Sequence, residues 1–170
     1  MEIKNVVEKL EKHSEFKVWN EKNKGSYLAN VFKMEGANDL DEWQVGYYNE
    51  NGTVTSFTVG KEDIKILPDQ EIFQKEKKAV HELDVNEVKI DLDQALDVAK
   101  EFQTTNLKGN DPAKIMVVVQ NIADHTLYNI TYITITFNTL NMKIDAGTGE
   151  MIDHEITPML QFQGKASKDG

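Results

Sequence analysis

The chain has 170 residues, 39% hydrophobic and 28% charged, with a net charge of −10, a globular balance that suits one larger domain or two small ones sharing an interface. It holds no cysteine, which excludes disulfides, thiolate nucleophiles and cysteine-based zinc sites, and all 19 of its basic residues are lysine. The acidic balance sets the chain against nucleic acid and anionic membrane surfaces, and without arginine it lacks the planar fork that grips phosphate at two points.

Residues 1–12 read as an amphipathic helix: Ile3, Val6, Val7 and Leu10 fall at i, i+3, i+4 and i+7, with charge on the other side. No apolar h-region is present there, and no apolar run in the chain approaches the roughly 20 residues of a membrane span. Cytoplasm is the default location, with an extracellular or envelope place open if a native N-terminal segment precedes the chain. Residues 16–19 (Phe-Lys-Val-Trp) look like a short strand, 20–26 like a polar loop, and 27–34 like a second strand. After a turn-rich break at 36–41, two strands at 43–48 and 53–59 flank Asn51-Gly52, a strong hairpin signal. A short strand at 64–67 stops at Pro68. Residues 69–87 are charged, with Ile72, Phe73, Ala79, Val80 and Leu83 loosely spaced for a helix, and contain no glycine or serine; they read as a partly packed connector.

The second half restarts with a helix over 92–102. Asp91 is its N-cap, and Leu92, Ala95, Leu96, Ala99 and Phe102 form the stripe to be buried. Four strands follow at 114–122, 127–137, 140–145 and 150–157. The first two carry apolar residues on both faces, which marks strands that are central or covered on both sides. The two halves share an order of helix and then strands, so the expected fold class is α+β, with two helix-on-antiparallel-sheet repeats in tandem. The expected divisions are an N-terminal half at 1–68, a connector at 69–87, a C-terminal half at 88–160 and a disordered tail at 161–170.

The segment Asp145-Ala146-Gly147-Thr148-Gly149-Glu150 sits between two alternating apolar runs. It resembles the closing hairpin of PepSY domains, whose last strands read Asp-Ala-x-Thr-Gly-Glu between apolar residues, and the helix over 92–102 is similar to the family's opening helix. The resemblance covers residues 88–157; the first half shares only order and spacing. It implies a cystatin-like layout and a binding or protease-regulating module, often near membranes or outside the cell, with a protease or cell-envelope protein as partner. It implies no catalytic residues.

The residues themselves offer little chemistry. His154 alternates with Ile152 and Ile156 on the last strand and is the best acid–base candidate, though it is read as a rim or packing residue. His125 beside Asp124 falls in a turn, and His13 and His81 fall near helix ends. The four histidines show no ligand spacing, and Asp91-x-Asp93 lacks the glycine and distal glutamate of a calcium loop, so neither a metal nor a cofactor is expected. The acidic group Asp39, Asp41 and Glu42 reads as a capped turn, and the lysine groups Lys4, Lys9, Lys12 and Lys75, Lys77, Lys78 as solvated helix faces. None of the four serines lies in Gly-x-Ser-x-Gly, and Gly147-Thr148-Gly149 is not followed by a helix, as a phosphate loop would be. Trp19, Tyr27, Trp43, Tyr47, Tyr48, Tyr128 and Tyr132 are read as core, with an outward aromatic face as the alternative. The expected function is non-enzymatic binding or regulation through a sheet face or hairpin tips. Two alternatives stand beside it: a small-molecule binder using a hollow between curved sheet and helix, and an acid–base hydrolase using His154.

Overall fold

In the computed structural model, residues 2–36, 41–71 and 79–160 are described. Helix α1 spans Ile3–Lys12, and all four residues of its apolar stripe are buried. His13 turns the chain into extended backbone, and its side chain caps the next helix, α2 (Ser14–Lys22), by accepting the Glu15 N–H. The expected strand at 16–19 is therefore a helix, and the expected loop at 20–26 begins only after Lys22. The reason lies in packing. Phe16 and Trp19, three residues apart on one helix face, meet Phe57 with ring centroids at 5.3 and 5.1 Å, while Val18, which a strand would have placed beside Phe16, points to solvent.

Strands β1 (Tyr27–Glu35), β2 (Trp43–Tyr48) and β3 (Thr53–Val59) form a meander, extended by β4 (Ile64–Ile66) and the two-residue β5 (Gln70–Glu71), which lies within the expected connector. Gly52, at φ +84°, closes the β2–β3 hairpin. Asn49 is buried at the base of that hairpin, where its amide donates to the Thr53 and Thr55 hydroxyls. A 3-10 turn at Val85–Glu87 precedes α3 (Leu92–Asn106), and β6 (Pro112–Ile122), β7 (His125–Thr134), β8 (Asn138–Asp145) and β9 (Met151–Pro158) complete the chain. Asp91 caps α3 in a reciprocal box, accepting the Gln94 N–H at 2.8 Å while its own N–H donates to the Gln94 side chain at 2.9 Å. Ala95 and Ala99 are fully buried, and their small size lets α3 lie close against β7 and β8.

All strand pairs are antiparallel, and the main path runs β4-β3-β2-β1-β6-β7-β8-β9 in one nine-stranded sheet, with β5 beside β3. The halves meet where β1 pairs with β6 from Asn30↔Gln120 to Glu35↔Ile115, so each half runs outward from its first long strand. The fold is α+β, with three α-helices among the described residues and an antiparallel sheet. Strands β6 and β7, apolar on both faces, are interior strands of that sheet. The core lies on the helix side and is filled: Val6, Leu10, Val31, Phe57, Tyr128, Ile130, Leu140 and Met142 are at 0% exposure. Burial pushes the Tyr47 hydroxyl pKa well above its ordinary value, and the nearby Glu11 carboxylate, which accepts a hydrogen bond from that hydroxyl at 3.2 Å, adds to the shift. Tyr128 is raised likewise, chiefly by burial, and its hydroxyl donates to the Ile90 carbonyl at 2.8 Å.

The β8–β9 turn has the geometry expected of it. The Asp145 and Glu150 backbones pair at 2.8 Å, the Gly149 N–H donates to the Asp145 carbonyl, and Gly149 has φ +79°. A Cβ there would meet Ile90 at an ordinary 3.6 Å, so the cost of substitution is backbone strain rather than collision. Gly149→Val is expected to destabilise by about 1 to 3 kcal/mol, read as a shift of the denaturant midpoint. The Thr148 N–H, donating at 2.8 Å, holds the Asp145 carboxyl below its usual range; partial desolvation opposes this and the Gly147 N–H assists. A depressed folded pKa stabilises above the unfolded value and loses that contribution as pH falls through the folded one. The stability gap between wild type and Asp145→Ala is therefore expected to be about 1 kcal/mol at pH 7 and to shrink below about pH 4 in paired urea titrations.

Candidate functional site

With three helices on one side of the sheet, the other side carries no described helix. Its residues follow from alternation: on β7 and β8, Asn129, Thr131, Asn141 and Lys143 interleave with the core residues Ile130, Tyr132, Leu140 and Met142. These helix-free side chains are half-buried, shielded by their cross-strand neighbours. An amide ladder runs across them, the Asn141 amide donating to the Asn129 carbonyl oxygen at 2.5 Å and to the Thr131 hydroxyl at 2.9 Å. At the junction of the halves the same face turns apolar, where Phe32 pairs with Val118 and Met34 with Met116.

A hollow of about 810 Å³ opens on this side, bounded by Asn30, Gln120, Asn129, Asn141 and Lys143 on the sheet and by residues 79–81 and 122–123 at its rim. At its edge the Asn121 amide donates to the Glu82 carbonyl at 3.2 Å, while its buried carbonyl oxygen has no partner among the described residues. The amide face was not singled out from sequence, although the alternation of Asn129, Thr131, Asn141 and Lys143 with apolar neighbours carried the signal. The expected hollow between sheet and helix is instead occupied by the filled core, and the open volume is on the opposite side.

The C-terminal border of the sheet is β9, most of it exposed. His154 lies opposite Met142 and Ile156 opposite Leu140, which puts both on the helix side. The His154 ring is exposed, with its centroid 4.6 Å from that of Phe102. The His154 backbone N–H donates to the Asp153 carboxylate at 2.9 Å, but the ring nitrogens have no hydrogen bond to a carboxylate among the described residues.

Other expected sites resolve differently. His13 lies at a helix end, as its position suggested, and its ring also caps the helix that follows, which was not expected. His81 lies outside the described helices, 3.7 Å from Asp124. His125 opens β7 just after the turn formed by Ala123 and Asp124, both at positive φ. Lys9 departs from the solvated face expected of it: its ammonium donates to the Gly60 and Lys61 carbonyls at 2.5 and 2.7 Å and ties α1 to the loop after β3. Asp41 pairs with Lys33 at 3.1 Å, and that hydrogen bond lowers its pKa. Trp43, Tyr47, Tyr128 and Tyr132 are core; Trp19, Tyr27 and Tyr48 are half-buried. Asp39, Ile72, Phe73, Lys75, Lys77, Lys78 and the tail at 161–170 lie outside the described residues. Among the described residues no group of three acidic or histidine side chains is placed to hold a metal ion, and no helix is long and apolar enough to cross a membrane.

Helices on one face of a single antiparallel sheet define the class of protein. No family model and no curated protein matches the chain. Among solved structures, it is similar to a Clostridium difficile 630 protein named "putative lipoprotein (CD1622)", with a TM-score of 0.54 and 16% identity over 84% of this chain and 90% of that one. At that identity the likeness shows the fold alone.

Proposed function

We propose that the chain is a non-enzymatic binding or regulatory module, built as a tandem pair of PepSY-like units, that receives a protein partner on the helix-free surface of its sheet. The observation that carries this reading is the sidedness of the molecule. The helix side of the inner strands is a filled core, with exposure returning only at β9, while the other side offers a broad, half-buried amide and apolar surface. Surfaces of that mixed character, with apolar residues inside a polar frame, suit protein recognition. The tandem reading is supported by the strand order, which runs outward from β1 and β6 in the same sequence, and by the Asp145–Gly149 turn. The position of His154, exposed and without an orienting carboxylate, speaks against acid–base catalysis, which needs a base fixed by a neighbour. The lipoprotein name of the Clostridium difficile neighbour adds support for a place at the cell envelope, where a protease or envelope protein would be the partner.

A second reading, a small-molecule binder, is favoured by the hollow beside Asn30, Gln120 and Lys143, whose size and mixed lining of amides with Val54, Val80 and Ile122 suit a small amphipathic ligand. Photo-crosslinking tests the leading reading. A crosslinker replacing Thr131 on the helix-free face should capture a protein partner in extracts of the native host, and one replacing the exposed Lys100 on α3 should not. Capture from Lys100 alone would reverse the assignment of faces, and a hydrolase activity abolished by His154→Ala would replace the reading with an enzyme.

A further inference from the structure

Building on the binding-module reading, we infer that the free edge of β9 is a strand-addition site for an extended peptide segment in which lysine or arginine alternates with apolar residues. The sheet has two borders. At one, β4 is three residues long and sits beside the two-residue β5; at the other, β9 runs eight residues with no described strand beyond it. A long open edge is the template for an added strand; along β9 the His154 N–H is held by the Asp153 carboxylate at 2.9 Å and Pro158 has no N–H, so pairing rests on the other backbone groups of the strand.

Side chains along β9 set the chemistry of what fits. Asp153 and Glu155 lie opposite Lys143 and Asn141, so both acids are on the helix-free face. The ion pair between Lys143 and Asp153 is loose at 3.9 Å, and the Asp153 side chain, which also accepts the His154 N–H at 2.9 Å through its other oxygen, stays 63% exposed and within reach of a second cation. On the other face, His154 stands exposed beside Phe102, Ile156 is 40% exposed opposite Leu140, and Ile152, half exposed, sits at the register shift. An incoming strand would place its basic residues against Asp153 and Glu155 and its apolar residues against His154, Ile156 and the Phe102 ring. Opposite charges facing each other across strands stabilise the pairing, and like charges oppose it.

The same acids disfavour a second copy of this chain. Antiparallel self-pairing centred on residue 153, 154 or 155 would set Asp153 against Asp153, Asp153 against Glu155, or Glu155 against Glu155. The net charge of −10 on each copy adds long-range repulsion.

Eight-residue acetylated peptides supply the test, titrated into the isotope-labelled full chain and followed by amide chemical shifts and hydrogen exchange. An alternating Lys/Val peptide should bind, slow the exchange of β9 amides, and weaken with added salt. An alternating Glu/Val peptide should not bind, and neither should a Lys/Val peptide with proline at every second valine, which keeps the charge but cannot pair. The double variant Asp153→Asn, Glu155→Gln, both at exposed positions, should bind the Lys/Val peptide about fivefold more weakly. Absence of binding at millimolar peptide would overturn strand addition, as would equal binding of the proline peptide. Shifts confined to Thr131, Asn141 and their neighbours, with β9 amides unprotected, would overturn it too while leaving the binding-module reading in place.

Discussion

Phe57→Ala is expected to destabilise the fold by roughly 3 to 5 kcal/mol, the range for truncating a fully buried aromatic. Phe57 has no solvent exposure and stands at the centre of an aromatic cluster, its ring 5.3 Å from Phe16, 5.1 Å from Trp19 and 6.0 Å from Tyr47 between centroids. Removing it deletes the surface on which α2 rests, so the cost includes both lost transfer energy and a cavity between two elements. Domains of this size are stabilised by only about 5 to 15 kcal/mol in total. The loss should therefore appear as a large drop in the urea midpoint followed by tryptophan fluorescence, since Trp19 and Trp43 both report on this half. A midpoint unchanged in Phe57→Ala would mean that α2 does not pack there.

Val119→Asp is expected to cost about 4 kcal/mol or more, because it buries a carboxylate with no counter-charge. Val119 lies at 0% exposure opposite Val31, also at 0%, on the β1–β6 pairing that joins the halves. The consequence should reach beyond its own strand. With the sheet continuous across that seam, tryptophan fluorescence from the first half and amide exchange of β7 and β8 in the second should report the same lowered stability. Loss of protection in β7 and β8 with an unaltered tryptophan transition would show that the halves unfold independently.

The sequence exposes some of this architecture and hides the rest for identifiable reasons. Helix α1 was legible because Ile3, Val6, Val7 and Leu10 mark one face without ambiguity, and α3 because Asp91 stands as a cap before an apolar stripe; the answering Gln94 side chain came only with the structure. Helix α2 was not. Phe-Lys-Val-Trp fits a period of two through Phe16 and Val18 as well as a period of three through Phe16 and Trp19, and only the tertiary surface of Tyr47 and Phe57 decides between them. The face of His154 followed from alternation, but its meeting with Phe102 depends on where α3 lies across the sheet. The amide surface was written in the polar positions of β7 and β8, yet apolar residues on both faces of β6 and β7 left two readings open, a central place in the sheet or cover on both sides. Their mixed pattern reflects a central place in the sheet, where neighbouring strands shield Met116, Val118 and Ile133 from the flanks.

That sidedness is what the functional reading depends on, and methionine oxidation measures it directly. Met34 stands 41% exposed on the helix-free face with Met116 paired beside it, whereas Met142, on the helix side of β8, has no exposure. In the native protein treated with dilute hydrogen peroxide, peptide mass spectrometry should find sulfoxide at Met34 first and at Met116 after it. Met142 should stay reduced until denaturant unfolds the chain. Oxidation of Met142 in the folded protein at the rate of Met34 would contradict the account, since it would place the open face of the sheet on the side that α3 is said to cover.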